Sequence, residues 1–234
     1  MIRCDRVIIE RAGQVVVDRL CLEIPSGTAL AVIGRSGSGK TALVAALATA
    51  EPVRGGDVDV CGLSLRRDPD AVRRRIGYVP PHLVDWPAVR ADDFLALFAA
   101  ACGLRGPGLE AAVTRALDAA DLTGGGAITL DAVDAGRAKR LLIARALLHA
   151  PDVLLLDDPF AGLDPADRRW LERLVDDLRL GGRTVVAAID DACVPDCFTE
   201  LAVLEEGRLI AHGPADLAAF FDGRPWQFRI VVAG

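Results

Sequence analysis

The run Gly34-Arg35-Ser36-Gly37-Ser38-Gly39-Lys40-Thr41 constrains this chain more than any other feature. It fits G-x-x-x-x-G-K-[ST] and stands between the apolar run Ala29 to Ile33 and a Gly- and Pro-free stretch rich in Ala and Leu, Thr41 to Ala50. The first reads as a strand and the second as a helix. The glycines therefore fall on a strand-to-helix turn, the opening of an α/β unit. There, backbone N–H groups can converge on phosphate oxygens, and the helix N-terminus adds the positive end of its dipole. The Lys40 ammonium is placed to reach β and γ phosphates, and the Thr41 hydroxyl to ligate Mg²⁺. Of 27 basic residues only Lys40 and Lys139 are lysine. A chain that writes Arg elsewhere keeps Lys where a compact ammonium fits a phosphate nest better than a planar fork.

A second element has the matching chemistry. Val153-Leu154-Leu155-Leu156-Asp157-Asp158 is an apolar strand ending in carboxylates. That places Asp157 at the carboxyl edge of a sheet, where it can hold Mg²⁺ directly or through water beside a phosphate loop.

Around these two elements the chain punctuates itself clearly. Short apolar runs (Val7 to Ile9, Val15 to Val17, Leu20 to Ile24) read as strands before the Pro25-Ser26-Gly27 turn. Strands are expected at Val58 to Val60 and Ile76 to Val79, the second stopped by Pro80-Pro81. Helices follow at Asp92 to Ala101 and Leu109 to Ala120, joined by a loop over 103–108. With no strand between them, residues 82–135 read as a mostly helical lobe set into a core made of 1–81 and 136–234. A helix from Gly136 to His149, the buried strand at Val153, a helix from Pro165 to Leu178, a strand Thr184 to Ile189 and a hairpin at Leu201 to Leu204 and Arg208 to Ala211 complete the order.

Composition narrows the function classes. With 52% hydrophobic and 26% charged residues, a sizeable core is available and disorder is excluded. The net charge of −6 argues against a nucleic-acid partner, which would need a basic surface. The cysteines at 4, 21, 61, 102, 193 and 197 form no CxxC pair, and read as small buried hydrophobes of a reducing compartment. Nothing resembles a signal peptide or reaches the roughly 18 apolar residues of a membrane span. A membrane role is thus expected to come through a partner.

Three further stretches make the pattern specific: Ile143-Ala144-Arg145-Ala146-Leu147-Leu148-His149-Ala150-Pro151, Val153 to Pro159, and Ala161-Gly162-Leu163-Asp164-Pro165. With Glu206-Gly207-Arg208-Leu209-Ile210 near the end, the chain resembles the ATP-binding subunit of ABC transporters along nearly its whole length. The resemblance implies one domain: a RecA-like P-loop core, an antiparallel β region and an inserted helical lobe carrying a signature loop. It implies ATP and Mg²⁺ as ligands, and a homo- or heterodimer sandwiching two nucleotides. Docking onto transmembrane subunits would make the chain cytoplasmic and peripheral at the membrane. Gly34 to Thr41 would hold the nucleotide, with Thr41 and Asp157 on the metal, and Arg11 falls where the family stacks an aromatic ring on adenine. A guanidinium plane can also stack on a base.

The departures from the family pattern cluster in the hydrolytic machinery. The Gln after the strand ending at Val79 falls on Pro81, which has no side-chain amide. The signature falls on Val133-Asp134-Ala135-Gly136-Arg137, so Asp134 replaces the Ser that bonds the partner's γ-phosphate. A carboxylate there repels the phosphate by about 1 to 4 kcal/mol for effective dielectrics of 80 to 20. The catalytic Glu becomes Asp158, shorter by one methylene, and general-base geometry is demanding. The switch His falls on Asp190. Together they predict ATP binding with weak or no hydrolysis; a nucleotide-sensing protein uncoupled from transport, and an ordinary active transport ATPase, are the alternatives.

Other residues read plainly. Trp86 sits where the family docks its membrane partner, as an anchor or as packing for the lobe. Arg66-Arg67 and Arg73-Arg74-Arg75 read as a solvated face or a contact for anionic lipid. His82 and His149 lack ligand partners at metal spacing and read as structural. The apolar segment Trp226 to Val232 can cover a strand edge or a dimer contact.

Overall fold

A computed structural model describes residues 1–81, 88–122, 129–189 and 194–215. The expected segments Trp86, His82, Asp190, Cys193 and Trp226 to Val232 lie outside the described residues.

The first two strands are longer than their apolar runs suggest. β1 (Ile2–Arg11) and β2 (Gln14–Ile24) form one antiparallel hairpin, because polar residues alternate with Ile2, Cys4, Val7 and Ile9 on β1 and with Val17, Leu20, Leu22 and Ile24 on β2. With β4 (Val53–Val60) and β5 (Leu63–Ser64) they make a four-stranded sheet in the order β2-β1-β4-β5. The second sheet contains β3 (Ala29–Ile33), β6 (Ile76–Val79), β7 (Val153–Asp157), β8 (Thr184–Ile189), β9 (Glu200–Glu205) and β10 (Arg208–Pro214), in the order β10-β9-β3-β8-β7-β6. It is parallel apart from β10.

β3, β7 and β8 are buried at every residue, as strands covered on both faces must be. Their period of two divides the interior. Ile33, Leu154, Leu156, Val185 and Ala187 enter a core shared with the helices α3 (Ala91–Ala101), α5 (Ala135–Leu147) and α6 (Pro165–Leu180). Leu30, Val32, Val153, Leu155 and Val186 enter the other, against α1 (Lys40–Leu47) and the antiparallel sheet.

The helices follow their caps and stripes. Asp164 caps α6 through the N–H groups of Ala166 and Asp167, with Pro165 in the first turn. Trp170, Leu171, Leu174, Val175 and Leu178 give that helix a buried stripe. α2 (Pro69–Arg73) is short, and α4 (Gly106–Ala119) begins earlier than expected. Its start at Gly106 shortens the expected 103–108 loop, because Pro107 in a first helical turn sacrifices no hydrogen bond.

Arg140 ties the helices together. It is paired with Asp121 at 3.0 Å and Asp167 at 2.8 Å, donates to the Ala120 carbonyl, and lies 4.4 Å over the Trp170 ring. The basic stretch is exposed, with Arg73 held by Asp70 and Thr49, and Arg75 by Asp152 at 2.8 Å.

Candidate functional site

β3 and β7 end side by side across β8, and their carboxyl ends carry the two chemical elements. The loop after β3 is held from within and from outside: Ser38 N–H bonds the Arg35 carbonyl at 3.0 Å, and Gly207 N–H, from the β9–β10 turn, bonds the Ser38 carbonyl at 3.0 Å. Glycine is required at two points. A Cβ on Gly34 would lie 2.2 Å from the Leu204 carbonyl oxygen. One on Gly39, which starts α1 at φ 104, would lie 2.5 Å from the Val16 carbonyl oxygen. The loop thus forms a backbone cradle whose outer residues Arg35, Ser36 and Gly37 are exposed. Lys40 is buried, and its ammonium donates to the Gly34 carbonyl at 2.7 Å and the Arg35 carbonyl at 2.9 Å. The Ser38 hydroxyl is buried without a hydrogen-bond partner among the described residues.

The Thr41 hydroxyl donates to the Asp157 carboxylate at 3.0 Å, so the two elements meet. Asp157 is 1% exposed. Half-buried Tyr78 lies close by; burial first, then the charges of Asp157 and Glu51, push its phenol up to about 12, so it stays neutral. A glycine cradle, a lysine within it, and a hydroxyl paired with a carboxylate suit a phosphate chain carrying Mg²⁺. The cavity lined by Gly34 to Ser38 with Leu204, Glu205 and Glu206 measures about 170 Å³, well short of the roughly 300 Å³ at which whole-ligand pockets begin. The loop forms one side of a site rather than an enclosed pocket.

The remaining candidate residues are distributed as follows. Arg11 ends β1, and its guanidinium grips the Glu51 carboxylate through Nε at 2.7 and 3.0 Å. Asp134 caps α5, accepting the Arg137 N–H at 2.8 Å, with the Arg137 guanidinium 3.7 Å from the same carboxylate. Asp158 takes a left-handed conformation at φ 46 and donates its N–H to the Ala188 carbonyl at 3.0 Å. Pro81 follows β6, and its carbonyl accepts from Lys139.

Lys139 is the residue whose role the motifs did not disclose. It is 6% exposed, and its ammonium donates to the carbonyls of Pro81 at 3.4 Å and Asp158 at 3.2 Å. Burial pushes its pKa down, while Asp158 and Asp157 pull it back. The signal was present in its rarity among so many arginines. His149 is structural, as expected: one ring nitrogen meets the Ile76 carbonyl at 3.0 Å and the other the Cys102 thiol at 3.8 Å. Among the described residues no His, Cys, Asp and Glu cluster is arranged to hold a metal by protein ligands alone.

Residues 17–161 match the family described as ABC transporter. The chain is 33% identical over 201 residues to the daunorubicin resistance ATP-binding protein DrrA3 of Streptomyces coeruleorubidus, covering 86% of this chain and 64% of that protein. It is 35% identical over 198 residues to the methionine import ATP-binding protein MetN of Rhodospirillum rubrum, covering 82% and 56%. It thus spans less than two-thirds of the length of either relative. Among solved structures, the ATP-binding cassette MJ0796 in a dimeric post-hydrolysis state with ADP and Pi superposes with a TM-score of 0.81 at 22% identity, covering 92% of this chain and 98% of that one. A nucleotide-free cassette of an ABC transporter gives 0.83 at 18% identity, covering 94% of each. The fold is that of an ABC ATPase cassette.

Proposed function

Because this chain belongs to the ABC transporter family of ATP-binding proteins, we propose that it binds ATP with Mg²⁺ and hydrolyses it weakly or not at all, driving or regulating transport through separate membrane subunits. The observation that carries the binding half is the meeting of the glycine cradle with the acid strand through Thr41 and Asp157 at 3.0 Å. Gly34 to Thr41 hold the phosphates through backbone N–H groups, and Lys40 exchanges its two loop carbonyls for phosphate oxygens. Thr41 and Asp157 hold the metal, which when bound offsets phosphate charge. The Ser38 hydroxyl, buried without a partner in its own loop, supports a ligand completing the site.

The weak hydrolysis rests on what the other side of the site lacks. Asp158, the residue at the catalytic-carboxylate position, directly follows Asp157, and its backbone is held at both N–H and carbonyl. A side chain one methylene short on a fixed backbone cannot recover its reach by moving. Asp134 brings negative charge to the signature turn, and Pro81 brings no side-chain donor. In a dimer these losses fall on both nucleotide sites, since each site takes its loop from one chain and its signature from the other. The small open cavity supports such a second chain as the cover. Arg11 can stack on the base once Glu51 shares it.

Titration of the purified chain with a fluorescent ATP analogue, with Lys40→Ala as control, tests binding. Saturable uptake lost in the control is expected. Steady-state turnover of the same sample tests the second half: several turnovers per second would return the chain to the ordinary active ATPases.

A further inference from the structure

The only other lysine of the chain occupies a junction. Lys139 stands on the second turn of α5, the helix whose N-cap is Asp134 of the signature segment. Its ammonium, nearly closed off from solvent, reaches two loops that are far apart in sequence: Pro81 after β6 and Asp158 after β7. The Asp158 peptide is therefore held from both sides, N–H by Ala188 and carbonyl by Lys139. The preceding residue, Asp157, accepts the Thr41 hydroxyl. A continuous physical chain runs from the phosphate loop through Asp157, the Asp158 peptide and Lys139 to α5 and its cap.

A buried ammonium loses hydration that two carbonyls and the nearby charges of Asp158 and Asp157 restore only in part. An apolar side chain of similar length would pack here without that cost, so the cation marks the contacts it makes. We propose that Lys139 is a positioning residue that couples this chain's own nucleotide site to the signature turn at the start of α5, the surface offered to a partner's nucleotide. The proposal rests on the nucleotide-binding reading above. It is a statement about coupling, so the test must measure coupling rather than proximity.

The experiment is hydrogen exchange of the full chain with and without ATP and Mg²⁺, with nucleotide affinity measured on the same samples. In the unmodified chain ATP slows exchange over 155–160 and over 133–138. In Lys139→Met the first response persists and the second falls about tenfold, within the usual range of allosteric coupling. Lys139→Arg, which keeps charge and donors, retains both. A purely structural role would instead raise exchange throughout, including β3. Should Met prove unfolded by thermal melting, Lys139→Gln, with a shorter reach, is expected to show the same selective loss. An unchanged response over 133–138 in the folded variant overturns the coupling and leaves ATP binding standing. So does ATP binding by the unmodified chain without any response there. Failure of the unmodified chain to bind ATP overturns the nucleotide reading, and the coupling with it.

Discussion

The two lysines organise two halves of one site in opposite ways. Lys40 donates to carbonyls six and five residues before it, so these two contacts stay within one stretch of sequence, while Gly207 and Asp157 tie the same loop to distant strands. Lys139 donates to carbonyls 58 and 19 residues away, so its half exists only when β6, β7 and α5 have assembled. The first half admits no side chain at Gly34 or Gly39, where a Cβ collides with backbone. The second has absorbed several substitutions. Asp134 fills the capping position of α5 as a Ser would, and Asp158 contributes its backbone to the sheet edge and to Lys139. On the proposed reading, chemistry is lost there without loss of fold.

The contrast breaks first, if it is wrong, at Gly34. Gly34→Ala places a methyl 2.2 Å from the Leu204 carbonyl oxygen and 2.6 Å from the Ser38 hydroxyl, and neither the strand nor the loop can yield cheaply. A loss of about 2 to 4 kcal/mol in urea unfolding is expected, together with loss of ATP binding. A variant of unchanged stability and affinity would show that the cradle is not built on close backbone approach.

The second half is sharpened by restoring what it lacks. Asp158→Glu adds the missing methylene on a backbone already fixed, and should raise steady-state turnover by about tenfold or more with little change in ATP affinity. A rise in affinity without turnover would instead mean that Asp158 acts on binding. Asp134 separates fold from function more finely. Asp134→Ala removes the acceptor for the Arg137 N–H and should cost about 1 kcal/mol of stability, whereas Asp134→Ser keeps the cap and stays within a few tenths. On the proposed reading both variants remove a charge facing the partner's phosphates, and the Ser variant, which also offers a hydroxyl donor and keeps the cap, should strengthen ATP-dependent self-association more, read by sedimentation.

The same contrast explains what the sequence discloses. The phosphate loop is legible because its pattern is contiguous, glycines and a lysine with a strand before and a helix after, even though the backbone those glycines approach, at Leu204 and Val16, is distant in sequence. β7 and Asp157 are legible because a fully buried parallel strand is a continuous apolar run. The length of β1 and β2 is less so, since their outward residues are polar and interrupt the apolar signal. Lys139 and Arg140 escape motif reading altogether. Each gets its meaning from partners in distant segments, such as Asp121 and Asp167 for Arg140, and no local pattern announces these. The engagement of Arg11 by Glu51 is of the same kind.

The smallest expected effect lies beyond the far end of α5, at His149, and it tests whether that end is merely structural. Burial pushes the imidazole below its ordinary 6.5, only partly offset by the Ile76 carbonyl, so the folded state holds it neutral where the unfolded chain would already be protonated. The unfolded state then binds more protons between the folded pKa and 6.5, and stability falls as the pH drops through that window. Above 6.5 the contribution is complete, and below the folded pKa no further loss follows from this group. Urea midpoints at pH 8 and pH 5.5 should therefore differ more for the unmodified chain than for His149→Gln, whose side chain does not titrate. ATP affinity should be the same in both at pH 8, because the ring touches Ile76 and Cys102 and no residue of the phosphate loop. A shift in affinity at pH 8 would place this end of α5 within the coupled half, and would extend the non-local region well beyond Lys139.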